Sequence, residues 1–98
     1  MRPPTLVDAV AAARVLRAAP EAGRPALLRR LICETRQAAR HLRATGRAHP
    51  RFGDGSLIAA ALRHPVVREP GLDDPAYCRC LAFVLVAIAE EDRPPISS

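Results

Sequence analysis

Lysine is absent from this chain, and so is tryptophan; all fifteen basic residues are arginine and only 3% of residues are aromatic. The first absence excludes a phosphate-cradling loop of the Walker kind, which needs a lysine after its glycines. The shortage of aromatics argues against stacking platforms for single-stranded nucleic acid. It also leaves a core to be built from Leu, Val, Ile and Ala. Long apolar runs are missing too. The stretch from Cys80 to Ala89 carries no polar residue, but at 1.5 Å per residue it reaches only about 15 Å, half the hydrocarbon thickness of a bilayer. The segment after the N-terminal Met is interrupted by Asp8, Arg14 and Arg17, which rules out a secretory core. No membrane association is expected, and the location expected is cytoplasmic. Cys33, Cys78 and Cys80 show no zinc spacing with His41, His49 or His64. Cys78 and Cys80 would lie about 200° apart on a helix. The expectation is reduced, buried, inert thiols, with no metal and no cofactor.

What is present is helical punctuation. No period-2 alternation and no internal repeat occurs. Thr5, followed by Asp8 as an approximate capping box, starts a first helix of about 5–19, alanine-rich and closed by Pro20. Its amphipathicity is too poor to choose a buried face. Pro25 opens a second helix over 25–45, with Gly46 as its stop. Asp54 or Ser56 starts a short third helix over 56–64, ended by Pro65. Asp74 as N-cap and Pro75 at the first helical position open a fourth over 75–92, and Pro94-Pro95 end it; residues 94–98 read as a frayed tail. Between the second and third helices the run Gly46–Ser56 holds glycines, a proline and Asp/Ser caps, the mark of a structured turn. Ninety-eight residues suit one domain, 1–98. The fold class is all-α, a small bundle of four helices with the third one short. A helix apolar all round is buried by neighbours or by a partner, so the fourth is expected to be the core against which the others pack.

Charge is concentrated. Residues 24–51 hold eight Arg and one acid, a net of +7, whereas the whole chain carries +5. On the second helix, Leu27, Leu31, Ala38 and Leu42 share one face, and Arg29, Arg36, Arg40, Arg43 and Arg47 share the opposite one. Such a guanidinium row suits an acidic protein surface or nucleic-acid phosphates, or it is simply a solvated face. The turn of Arg51, Gly53, Asp54, Gly55 and Ser56 leads into a helix N-terminus, a candidate anion site; positive-φ glycines and a cap explain the same residues. His49, Asp54 and Ser56 have the residue types of a hydrolytic triad but crowd into one turn, whereas triads draw on separated parts of a chain. No enzyme activity and no catalytic residue are expected. A bundle this small covers a wholly apolar helix only in part, so Phe83, Val84 and Ile88 are candidates for an apolar interface, a homodimer through the 75–92 helix included.

The block Thr45–Ala61, containing Thr45-Gly46-Arg47-Ala48-His49-Pro50 and Gly53-Asp54-Gly55-Ser56-Leu57, followed by Leu72-Asp73-Asp74-Pro75-Ala76-Tyr77, resembles a family of small bacterial proteins of about 100 residues. The family has no assigned activity, so no residue role is carried over. The resemblance implies a setting among bacteria that make phage-like gene-transfer particles, near their regulators. The function expected first is a non-enzymatic, basic regulatory adaptor that makes protein–protein contacts. The alternative is a nucleic-acid-binding regulatory protein using the Arg-lined face.

Overall fold

A computed structural model describes residues 2–91. Its elements are α1 (Leu6–Ala18), a 3-10 turn at Glu21–Gly23, α2 (Arg24–Thr45), α3 (Leu57–Ala61) and α4 (Pro75–Glu91), with no strand among the described residues. The all-α bundle with a short third helix is therefore observed. The proline stop and the tail at 94–98 lie outside the described residues.

The helix ends are set by local chemistry that the sequence advertises. At α1 the Asp8 carboxylate accepts from the Thr5 amide at 2.8 Å and from its hydroxyl at 3.0 Å, which closes the capping box. At the other end Arg24 Nε donates to the Leu16 carbonyl at 2.7 Å, which also accepts from the Ala19 amide at 3.0 Å, and Arg24 Nη2 donates to the Arg17 carbonyl at 3.4 Å, serving the last turn of the helix. Gly46 ends α2 in the left-handed region, φ 73°, with its amide on Leu42 at 2.7 Å. At α4 the Asp74 carboxylate accepts from the Tyr77 amide at 3.0 Å. That bond, together with Arg17, holds the Asp74 carboxyl below its ordinary range.

The centre of the bundle is not the helix expected to occupy it. Seven of the thirteen residues of α1 are buried, against three of the seventeen of α4, and α1 packs on α2, α3 and α4 alike. Its alanines explain this: Ala9, Ala11, Ala12 and Ala13 are all buried, and a helix that narrow lets three others approach its axis closely. Its poor amphipathicity is the pattern of a helix enclosed on most sides. α4 instead buries one stripe, Tyr77, Cys80 and Val84, and packs chiefly on α1.

On α2, Leu31 and Ala38 are buried and Leu27 and Leu42 half-buried, as the periodicity predicts. The buried stripe is wider, however, and includes polar Glu34 and Thr35. Both are satisfied: Thr35 donates to the Leu31 carbonyl at 2.8 Å, and Glu34 meets His64 Nε2 at 3.0 Å and Arg30 Nε at 3.1 Å. α3 ends at Ala61, short of the 56–64 expected, and residues 62–64 continue as a turn. The following loop is strapped to α1 by Arg14, whose Nε donates to the Val67 carbonyl at 2.8 Å.

Candidate functional site

The Gly/Pro-rich turn is ordered by its own side chains. His49 and Gly53 exchange backbone hydrogen bonds at 2.8 and 3.1 Å. His49 Nδ1 accepts from the amides of Arg51 and Phe52 at 3.0 and 3.1 Å. The ring stacks on Phe52 with centroids 4.7 Å apart, and Arg51 lies over Phe52 at 5.7 Å. Gly55 takes φ 88°, and a Cβ there would stand 3.1 Å from Ala39 Cα; only glycine lets the turn lie this close to α2.

The same geometry occupies several of the donors on which the anion site expected at residues 51–56 would draw. Asp54 Oδ1 accepts from the Ser56 amide at 3.0 Å and from its hydroxyl at 2.6 Å. Ser56 Oγ accepts from the Ala59 amide at 3.3 Å, and Asp8 Oδ1 accepts from Ile58 at 2.9 Å. The Ser56, Ile58 and Ala59 amides and the Ser56 hydroxyl are thus already taken by two carboxylates and a hydroxyl of the chain itself. Hydrogen bonds from the Ser56 side chain and backbone hold the Asp54 carboxyl below its ordinary range. For Asp8, burial raises the pKa, but bonds from Thr5 and Ile58 outweigh it and the net shift is downward. His49 is turned onto backbone amides and the Ser56 hydroxyl onto Asp54, so these residues hold the turn and do not form a relay.

Arg29, Arg36, Arg40, Arg43 and Arg47 are all exposed. The first four line α2 over about 21 Å at 1.5 Å per residue, and Arg47 lies beyond the reversal at Gly46. Arg36 pairs with Glu91 at the end of α4. Among the described residues Arg29, Arg40, Arg43, Arg47 and Arg51 meet no carboxylate.

The apolar residues expected at an interface separate. Val84 is fully buried, 0% exposed, because it falls on the stripe of α4 that faces α1; it belongs to the core and is no contact residue. Ile88 is half-buried against the core. Phe83 is 40% exposed, and the larger exposures fall on residues the sequence reading passed over, Leu85 at 47% and Val86 at 58%. The signal for them was available: once Tyr77, Cys80 and Val84 share a face, the 100° step puts 82, 86 and 89 opposite and 85 on the flank.

α2 and α4 diverge, and a furrow runs between them. Its middle is a cavity of about 470 Å³ floored by Leu28, Ile32, Phe83 and Ala87. A cavity of about 320 Å³ continues it past Arg24, Arg79 and Phe83, and one of about 360 Å³ past Arg29, Arg36 and Arg40. One bank is thus the basic side of α2 and the other the apolar side of α4, with Glu90 and Glu91 at the far end. Cys33 is exposed in this furrow, against the expectation of buried thiols. Cys80 is buried, and burial pushes its thiol above the ordinary range. The described residues contain no group of three or more His, Cys, Asp or Glu placed to hold a metal ion, and no described helix is long and apolar enough to cross a membrane.

A small basic all-α bundle with an open furrow is the class this geometry defines. The chain belongs to the family described as Domain of unknown function (DUF7742), whose model matches residues 2–88. No curated protein and no solved structure matches it.

Proposed function

We propose that the protein is a non-enzymatic interaction module that takes an acidic, amphipathic helical segment of a partner protein into the furrow between α2 and α4. The observation that carries this reading is the pairing of an apolar floor (Leu28, Ile32, Phe83) with a bank of Arg29 and Arg40 that meet no carboxylate among the described residues. Helix-in-groove recognition needs such a floor for anchors at i, i+3/i+4 and i+7. The guanidinium bank adds charge complementarity, which sets orientation and encounter rate more than affinity. A cytoplasmic regulatory adaptor is the setting this reading favours.

A second reading has its own observation. Arg29, Arg36, Arg40 and Arg43 are spaced along one exposed helix edge, with Arg47 beyond it, which suits phosphates of a duplex and supplies no base readers. One titration separates the two. Labelled probes are a Leu/Glu amphipathic helical peptide, its Glu→Gln counterpart, duplex DNA and RNA, each at about 50 and 200 mM salt. The module reading expects the acidic peptide to bind, Phe83→Ser and Arg40→Ala each to weaken it, and nucleic acid to bind less tightly. Binding of DNA with a loss of roughly a hundredfold over that salt interval, unaffected by Phe83→Ser, would overturn it in favour of the phosphate reading.

A further inference from the structure

Arg36 differs from the other arginines of its row in having a carboxylate, and that carboxylate comes from across the furrow. Glu91, in the last turn of α4, sets Oε1 against Arg36 Nη2, and that oxygen is sealed from solvent. Among the described residues this is the one ion pair that joins α2 to α4. It stands where two cavities meet. Glu91 lines the middle of the furrow together with Ile32 and Ala87, and it also lines the basic end together with Arg29, Arg36 and Arg40. Glu90 borders the middle cavity too and pairs with no cation among the described residues.

The pair shows that this bank seats a carboxylate, and two features show that it holds this one weakly. The Arg36 side chain is 50% exposed, and an ion pair open to water on one side contributes little. A carboxylate in the last turn of a helix also meets the negative end of the helix dipole, and α4 has no basic residue in its last turn to offset it. Such a pair is a poor staple and an easily displaced one. Arg29 and Arg40, in the same cavity, meet no carboxylate among the described residues, so a second acid arriving there finds guanidinium groups on both sides of Arg36.

We infer that Glu91 is an internal competitor for the furrow: Arg36 holds Glu91 in the free protein and exchanges it for a carboxylate of the acidic partner helix. The chain thereby holds down its own affinity for that partner. This inference rests on the furrow taking an acidic helix, and it adds the place of one acid. Ile32 and Arg36 are four residues apart, about 6 Å along the axis of α2. A partner whose apolar anchor covers Ile32 therefore carries the displacing acid one helical turn from that anchor.

Fluorescence anisotropy of the Leu/Glu amphipathic peptide and its Glu→Gln counterpart tests this on the full chain, with urea denaturation of every variant. Glu91→Gln is expected to tighten the acidic peptide about two- to fivefold, the range an ion pair of this kind is worth, and to leave the Gln counterpart unchanged. Glu90→Gln removes the same charge from the same end without breaking a pair, so its gain should be smaller. In an Arg36→Ala background the seat is gone, and Glu91→Gln should then gain no more than Glu90→Gln does; this cycle isolates the pair. Equal gains from the two glutamate variants overturn the inference and leave the furrow reading standing. So does a Glu91→Gln gain that survives Arg36→Ala. A Glu91→Gln chain that is less stable in urea and binds the acidic peptide more weakly makes the pair a structural staple, which overturns it as well. Failure of the acidic peptide to bind the parent and every variant is the separate result that removes the furrow reading, and this inference with it.

Discussion

α1 and α4 exchange the roles their compositions suggest. α4 has the longer apolar run, from Cys80 to Ala89, yet leaves Phe83, Leu85 and Val86 in contact with solvent. α1 is broken by Asp8, Arg14 and Arg17 and still sits at the centre, with Ala12, Ala13 and Leu16 fully enclosed. The difference lies in size and in the use made of the polar residues. Small side chains let α1 be surrounded, and each of its charged groups ties it to another part of the chain: Asp8 to Ile58, Arg14 to Val67 and Arg17 to Asp74. Burial in a small bundle follows how closely neighbours can approach, while surplus apolar surface on α4 remains available for contact with something else.

Two leucines break this comparison most directly. Leu16→Ala opens a cavity at a site with 0% exposure and should cost about 2–5 kcal/mol. Leu85→Ala, at 47% exposure, should change monomer stability by less than about 0.5 kcal/mol. Urea denaturation of both at low concentration measures the gap, and similar losses would show that α4 is the buried helix after all. Next in size is Gly55→Ala, expected to destabilise by about 1–3 kcal/mol: the left-handed backbone alone costs roughly 1–2, and Ala39 must then shift as well.

Asp8→Asn sharpens the tie between α1 and α3. It removes the charge that accepts from Thr5 and Ile58 and should cost about 1–3 kcal/mol near neutral pH. Because the folded-state pKa of Asp8 lies below the model-peptide value of 3.8, its contribution is complete above that value. It is lost as pH falls through the lower folded-state pKa. Stability curves of parent and variant should therefore converge in acid and separate as pH rises past 4; a constant offset down to the lowest pH would contradict the linkage. The smallest effect expected is from Arg43→Ala, within about ±0.5 kcal/mol by the same denaturation, since its side chain is exposed and meets no carboxylate among the described residues.

The helix boundaries were legible because caps are local: Thr5 with Asp8, Gly46, Ser56 and Asp74 each act within four residues of themselves. The exposed arginine row was legible for the same reason, as a period on one helix. What a period cannot give is direction on a helix that is apolar on every side, so Val84 was read as surface while Leu85 and Val86 were passed over. Nor can it give contacts across fifty residues. That the Ile58 amide at the start of α3 is occupied by Asp8, from the other end of the chain, is one contact of this kind. Glu34 looked like the lone acid among arginines, with no hint that His64 would reach it. The furrow is a product of two helices diverging, and no single stretch of sequence encodes that.

The hydrogen bond from the Ile58 amide to Asp8 has a kinetic side. α3 is five residues long, far below the length at which a helix persists alone in water, and one of its first amides is sealed by a group on α1. Solvent deuterium can reach that amide only when the two helices part. Ile58 should therefore exchange at the rate of global opening while the neighbouring turn frays faster, so one proton in the shortest helix reports on the integrity of the whole bundle.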